Sequence, residues 1–353
     1  PPEYNGFKAL VGKDAQSGNQ IKEIYRIAKE ENFPIEHPGT IKKIDIIDDY
    51  IDTIGKDIQL NKKIKVVVDC GNGTGGLTAI PLYKKLGAEV IDLYCEVDGH
   101  FPNHHPDPTK SENLEDIISK VKETRSDVGI AFDGDADRIG VVDQNGTILW
   151  GDQLMIIFAK DILKKNPGRK VISEVKASEV LYKEIEKYGG IPIMWKTGHS
   201  IIKKKIFREN AIFAGEMSGH IFFNDRWFGF DDAVYSGARL LEILGNSEKT
   251  LSEIMNGIPK AINTPEIRID TTEKAKFKIV SQIVTHFKKD YEVIDIDGAR
   301  IKFPSGWALV RASNTQPSLV IGYEADTQKH LKEIQDRVEP ILREIKEKTE
   351  KSS

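Results

Sequence analysis

Residues Phe132 to Arg138 read FDGDADR, which sets three carboxylates, Asp133, Asp135 and Asp137, at alternate positions beside a guanidinium. The runs VGIA before them and IGVVD after them have the residue types of strands, so the acids fall on a tight connection at a strand end. Three oxygen donors on a short loop suit a hard divalent cation, and Mg²⁺ held in this way completes its shell with water and phosphate. Arg138 would then face phosphate too. Two other readings compete with this one. A solvated Asp-rich turn is the ordinary fate of such a stretch standing alone. A calcium loop of EF-hand type fails, because its sixth position calls for Gly and holds Arg138, and its flanks are strands rather than helices.

The elements that must position this loop alternate in type. From about Lys42, a helix IDIIDDYIDTIGKDI leads to strand IKVVVD, a glycine-rich turn, helix LTAIPLYKKL, strand EVIDLY and helix NLEDIISKVKET, and the strand pair around DGDADR closes the block. A second block runs from helix GDQLMIIFAKDILKK through strand KVISEV, helix SEVLYKEIEKYG and strand IPIMW to AIFAGEMSGH. Both read as mixed α/β sandwich domains, 44–148 and 149–258. After about Pro259 come a strand, a helix, strand-like runs broken at Asp297-Gly298 and Pro304-Ser305-Gly306, and a long charged helix. Residues 259–353 therefore read as an α+β domain with an antiparallel sheet.

Gly71, Gly73 and Gly76 satisfy GxGxxG between a strand and a helix, and Asp92 follows about 20 residues on, as a dinucleotide-binding unit requires. An NAD-dependent oxidoreductase is thus an alternative class, although glycines also serve simply to turn a chain tightly. The stretch GHFPNHHPDP offers His100, His104 and His105, but it lacks cysteines and helical HxxxH spacing, and it reads as a rigid structural loop rather than a zinc site.

Three further segments, PPEYNGFK (Pro1–Lys8), GEMSGH (Gly215–His220) and RASNTQP (Arg311–Pro317), join DGDADR in an order and spacing that resemble the α-D-phosphohexomutase family, in its phosphomannomutase/phosphoglucomutase branch. The continuation HIFFNDRWFGFDDAVYSGARLLEIL is similar to its bacterial bifunctional members. The resemblance implies interconversion of hexose 1-phosphate and hexose 6-phosphate, of mannose, glucose or both, through a phosphoserine enzyme and a hexose 1,6-bisphosphate intermediate. In that family PPEYNGFK directly follows a Ser-His-Asn segment whose serine carries the phosphate. The resemblance therefore makes residues 1–43 the remnant of a first α/β domain, and implies that these 353 residues alone are inactive, or form a non-catalytic sugar-phosphate-binding fragment.

Roles follow from the same resemblance. Asp133, Asp135 and Asp137 would bind Mg²⁺, while Lys8 and Arg138 would stabilise charge on the transferring phosphate. Lys8 or His220 would carry the sugar-hydroxyl proton. Glu216 and Ser218 would grip hydroxyls shared by the gluco and manno forms, and Met217 separates the loop from the GEQSGH form of phosphoglucosamine mutases. Arg311, Ser313, Asn314 and Thr315 offer a guanidinium, hydroxyls and an amide to the non-reacting phosphate. Lys176 and His199 match positions that line the cleft. Trp227 and Arg239 read as packing or interdomain groups.

Composition agrees with a multidomain enzyme, since 353 residues with 39% apolar content suffice for roughly two to three cores. A formal net charge of −4 gives no basic footprint for nucleic acid, and the Lys203 to Lys205 run reads as a solvated helix face. No long apolar stretch suggests a membrane span. Cys70 and Cys95 read as reduced core residues, which points to the cytoplasm. A monomer is expected.

Overall fold

The computed structural model describes residues 6–12, 14–16, 18–31, 33, 39–314 and 316–351. Near the start, β1 (Leu10–Val11) and β2 (Asp14–Ala15) pair antiparallel, and α1 (Asn19–Glu30) follows. Ile21, Ile24 and Tyr25 are spaced to share a face of α1, yet the helix buries none of its residues. This segment has no core of its own among the described residues.

The first block begins with α2 (Ile47–Asp57), later than the pattern from Ile44 suggests, because Asp45 Oδ1 accepts from Ile47 N at 3.1 Å and sets the helix start. Strand β3 (Lys65–Asp69) is a β-branched run buried on both faces. The expected single helix after the glycine turn splits into a 3₁₀ turn, Thr74–Leu77, and α3 (Ala79–Lys85), with Pro81 in the first turn where its missing N–H costs least. Then come β4 (Glu89–Leu93), α4 (Glu115–Thr124), β5 (Val128–Phe132), β6 (Ile139–Asp143) and β7 (Ile148–Leu149). The sheet order is β4-β3-β5-β6-β7, with β3 parallel to both neighbours and the remaining pairs antiparallel. DGDADR is the connection from β5 to β6.

The second block holds α5 (Gly151–Lys165), β8 (Lys170–Glu174), α6 (Glu179–Lys187), β9 (Ile191–Trp195), α7 (His199–Glu209), β10 (Phe213–Gly215), β11 (Ile221–Phe223), α8 (Ala233–Gly245) and α9 (Leu251–Met255). Its sheet runs β11-β10-β8-β9, with only the β10–β11 pair antiparallel. The two blocks share one continuous apolar core that includes Val66, Ile130, Phe158, Phe213 and Leu241. Helix α8 joins them: Tyr83 donates its hydroxyl to Val234 O at 2.9 Å, and a Cβ on Gly237 would lie 2.0 Å from that hydroxyl. Tyr235 donates to Asp57 and stacks on Trp227, while the buried Arg239 meets Asp225 through both terminal nitrogens at 2.9 and 3.0 Å.

The last part contains β12 (Ile262–Asn263), β13 (Ile267–Asp270), α10 (Ala275–Phe287), β14 (Val293–Ile294), β15 (Ala299–Phe303), β16 (Gly306–Ala312), β17 (Ser318–Ala325) and α11 (Gln328–Lys351). All its pairs are antiparallel, in the order β12-β17-β16-β15-β14 with β13 also on β17, and α10 and α11 bury a separate core against the sheet. It docks on the second block through the fully buried Arg300, which donates to Val175 O and Ala177 O at 2.5 and 2.8 Å and to Glu179 Oε2 at 3.0 Å. Among the described residues no helix is long and apolar enough to cross a membrane.

Candidate active site

The β5–β6 connection gathers oxygens of Asp133, Asp135 and Asp137 within 4.8 Å of one another. Ala136 takes the left-handed conformation, φ 56°, which lets so short a loop present all three. Asp133 is buried; its Oδ1 accepts from the amides of Asp137 and Arg138, each at 3.0 Å, and its Oδ2 from Arg138 Nε at 2.6 Å. Three of about four lone-pair sites are thus filled, leaving one for a cation. Burial, reinforced by the charge of Asp137, lifts the Asp133 pKa to about 6. The donor set fits a hard divalent ion. Arg138 also reaches Asp107 Oδ1 at 3.2 Å, so it braces the loop against the histidine-rich stretch GHFPNHHPDP.

Lys8 places its ammonium on Asp137 and 3.5 Å from Asp135. Burial works against that charge, but the Asp137 hydrogen bond and the Asp231, Asp137 and Asp135 carboxylates raise its pKa above the ordinary lysine value. The tail of PPEYNGFK thus lies against the acidic loop; Pro1 to Asn5 lie outside the described residues.

His220 and Arg138 form an isolated antiparallel bridge, tightened by Ile139 N donating to Gly219 O at 3.1 Å. The His220 Nδ1 lies 3.1 Å from Asp231 Oδ2 and 3.4 Å from Asp137 Oδ1. His199, whose ring stacks on His220 at 5.1 Å, also points Nδ1 at Asp231 Oδ2, 3.1 Å away. Burial opposes ionisation of His220, yet Asp231, Asp137 and Glu216 raise its pKa. Burial likewise opposes the Asp231 charge, but the two imidazoles hold it well below the carboxylate range. Sequence reasoning missed Asp231. The signal available was the doublet Asp231-Asp232 before α8: Asp232 caps that helix, accepting from Tyr235 N at 2.8 Å, and the capping rule leaves its neighbour unexplained.

GEMSGH turns between β10 and β11, and Ser218 sits in that turn, closed by Gly219 N donating to Glu216 O at 3.0 Å. Glu216 is 2% exposed and accepts from Gly198 N at 2.5 Å; burial and the charge of Glu174 push its pKa up to about 7. Glu174, also missed, ends β8. One of its oxygens accepts from Met217 N at 3.0 Å, and the other is buried with no hydrogen-bond partner among the described residues. An acid at the carboxyl end of a parallel strand was the available signal. Lys176 lies 3.7 Å from Glu174 and 3.5 Å from Glu266, and the charge of Glu174 raises its pKa against the effect of burial.

Arg311 is buried at the end of β16, with Nε and Nη2 at 3.2 and 3.0 Å from Asp297 Oδ2. The same carboxylate oxygen accepts from Thr197 N at 3.1 Å, which ties the clamp to the chain entering His199. Ser313 Oγ accepts from Gln316 N at 3.2 Å, and the buried Lys276 holds the turn from below through Ser313 O at 2.7 Å and Gln316 O at 3.2 Å. Asn314 is exposed; Thr315 lies outside the described residues. The arrangement brings together the Asp133–Asp137 loop, the His220–Asp231–His199 cluster, the buried Glu216 and the Arg311 turn, joined by Gly198–Glu216 and Thr197–Asp297.

The glycine turn is packed against its own neighbours rather than left open as a phosphate cradle would be. Its amides are consumed: Gly71 N by Asp69, Asn72 N by Tyr94 O, Gly73 N by Cys70 O and Thr74 N by Gly134 O. None of these four is left for a pyrophosphate, and the turn opens a 3₁₀ segment rather than an α-helix. In the histidine loop, His104 pairs with Asp69 at 3.1 Å, and this hydrogen bond raises its pKa to about 9; His100 Nδ1 meets Asp98 at 2.9 Å. The His104 contact fastens the loop to the end of β3.

Three models of one family match the chain: phosphoglucomutase/phosphomannomutase alpha/beta/alpha domain II over residues 48–146, alpha/beta/alpha domain III over 150–262, and the C-terminal domain over 266–341. A phosphomannomutase/phosphoglucomutase of Pseudomonas putida is 48% identical over 350 residues, 97% of this chain and 75% of the relative. A phosphoglucomutase of Neisseria gonorrhoeae is 46% identical over 97% of this chain and 75% of its own length. A solved phosphoglucomutase/phosphomannomutase family protein from Burkholderia thailandensis superimposes with a TM-score of 0.93 at 43% identity, covering 98% of this chain and 74% of that one. With the motifs, the sheet topology and these matches in agreement, the chain belongs to the phosphoglucomutase/phosphomannomutase family.

Proposed function

We infer that this chain is the metal, sugar and phosphate-clamp portion of a phosphohexomutase that interconverts the 1- and 6-phosphates of glucose, mannose or both. The observation that carries the reading is the backbone bridge between Arg138 and His220, which fixes the acidic loop and the sugar loop in one frame. Asp133, Asp135 and Asp137 would hold Mg²⁺, which when bound neutralises charge on a transferring phosphoryl group. Lys8 and Arg138 add cationic donors on the same side. His220, held by Asp231, takes the proton from the sugar hydroxyl as that oxygen accepts phosphate, and returns it in the reverse direction. Glu216 and Glu174 accept from sugar hydroxyls, while Arg311, Ser313 and Asn314 hold the phosphate at the far end.

A hexose 1,6-bisphosphate suits this arrangement, since one phosphate faces the acidic loop while the other meets the clamp, and exchanging the ends repeats the same contacts. A crystal structure of the Aspergillus fumigatus N-acetylphosphoglucosamine mutase holds glucose 1,6-bisphosphate, but at 16% identity that likeness speaks for the fold alone. Calorimetric titration with glucose 1,6-bisphosphate, glucose 1-phosphate and mannose 1-phosphate in Mg²⁺ tests the reading. Saturable binding of all three is expected, and no binding of any of them overturns it.

A further inference from the structure

Cys70 and Cys95 are free thiols whose sulfurs lie 3.2 Å apart. Cys70 follows β3 on the face it shares with Val66 and Val68 and is fully buried, whereas Cys95, just beyond β4, is partly exposed. Backbone bonds from Cys70 N to Leu93 O at 3.1 Å and from Asn72 N to Tyr94 O at 2.7 Å hold the two segments side by side. A disulfide needs its sulfurs at about 2.05 Å, so the pair is one small side-chain movement from closure.

What lies around the pair gives closure a consequence. The glycine turn starts at Cys70, and its Gly76 presses on Cys95: a Cβ there would lie 2.0 Å from Cys95 O. On its other side the turn abuts the acidic loop, where Thr74 N donates to Gly134 O at 2.9 Å and a Cβ on Gly73 would lie 2.7 Å from the same oxygen. Gly134 stands between Asp133 and Asp135. The turn is packed without slack on both sides, so a displacement at the sulfurs is passed to the loop.

We propose that Cys70 and Cys95 are a reversible dithiol/disulfide pair, oxidised by a small-molecule disulfide such as oxidised glutathione, and that closing the bond shifts the Asp133–Asp137 loop. The accessible Cys95, as thiolate, attacks the glutathione disulfide; one glutathione thiolate leaves and a Cys95–glutathione bond forms. Cys70 then loses its proton and attacks Cys95 Sγ, expelling the second glutathione. Two thiol protons and two electrons pass to one glutathione disulfide. Hydrogen bonding with Cys95 and burial both hold the Cys70 thiol above its ordinary pKa, so Cys95 is the thiol that attacks first and Cys70 closes the bond more slowly.

The test equilibrates the chain across a series of oxidised-to-reduced glutathione ratios, followed by intact mass after alkylation and amide hydrogen exchange without metal. The expected product has lost two hydrogens and carries no glutathione, and it exchanges faster in the peptides covering 70–76 and 132–138. Cys70→Ser should trap a glutathione adduct on Cys95, and Cys95→Ser should stay unmodified. Failure to cross-link at any ratio overturns the proposal, as does a cross-linked protein whose exchange at 132–138 is unchanged. The inference rests on the metal reading only for the meaning of that loop; Mg²⁺ titration of the reduced chain tests the metal reading separately.

Discussion

Arg138 and His220 face one another across a single antiparallel bridge, although one leads into a strand of the first sheet and the other into a strand of the second. The bridge depends on Gly219, whose φ is 92° and where a Cβ would lie 2.4 Å from Ile139 O. Neither the conformation nor the space admits a side chain.

Gly219→Ala should therefore lower stability by about 1–3 kcal/mol, the usual cost of forcing a side chain into such a conformation, and should weaken binding of both Mg²⁺ and glucose 1-phosphate. Thermal melting and calorimetry check it; a variant with unchanged melting temperature and affinities contradicts the coupling of the two loops.

Glu216 gives the protein a pH dependence of definite sign. Its folded pKa, about 7, lies above the ordinary glutamate value of 4.5, so the fold favours the protonated form. Stability is then greatest below the unfolded pKa and declines as pH rises through about 7, by up to about 3 kcal/mol in all. Glu216→Gln should flatten the melting temperature between pH 5 and pH 8 relative to the parent chain; equal slopes in the two proteins would remove Glu216 as the cause.

Asp135 is the most exposed of the three loop acids, its side chain 64% exposed, and the fold does not depend on it. Asp135→Asn should leave thermal stability without metal nearly unchanged while weakening Mg²⁺ binding by at least about tenfold, the smaller effect expected even for a group behind the ligands. Calorimetric Mg²⁺ titration reads it, and full affinity in the variant would rule the loop out as the cation site.

Arg311→Ala should weaken glucose 1-phosphate and glucose 6-phosphate alike, by about 1.5–3 kcal/mol each, since a charge-assisted contact to the distal phosphate is lost in both orientations. Glu216→Ala should instead weaken sugar phosphates while sparing inorganic phosphate. Calorimetric titration of both variants reads the difference. If Arg311→Ala keeps one isomer and loses the other, a single clamp does not serve both orientations.

The gathering of the acidic loop was legible because it is local: three acids, a guanidinium and two flanking strands fit within a short stretch of chain. The alternation of strand and helix, and the switch to an antiparallel sheet after Pro259, were legible for the same reason. Contacts that exist only after folding were not. Asp231 is informative only through His199 and His220, and Glu174 only through Glu216 and Met217; in sequence each is one acid among many. GxGxxG misled because glycine's tolerance of close packing serves two ends, and only the consumed amides of the turn show that here it serves contact with Gly134 and Cys95. The two-residue strands β7, β12 and β14 are too short to carry a period of two.

The core shared by the two sheets has a mechanical meaning. Prying the first block from the second would expose Tyr83, Ile130, Tyr235 and their neighbours to water, at roughly 1.5–3 kcal/mol for each large apolar side chain. The seam to the last domain is different in kind: it is closed by the guanidinium of Arg300, by Glu179 N on Glu324, by Thr197 on Asp297, and by a small patch of Val175, Trp307 and Leu309. Water can replace most of those partners. The joint that yields first is thus the one carrying Arg311, while the Asp133–Asp137 loop and the GEMSGH turn stay fixed to one another by the shared core.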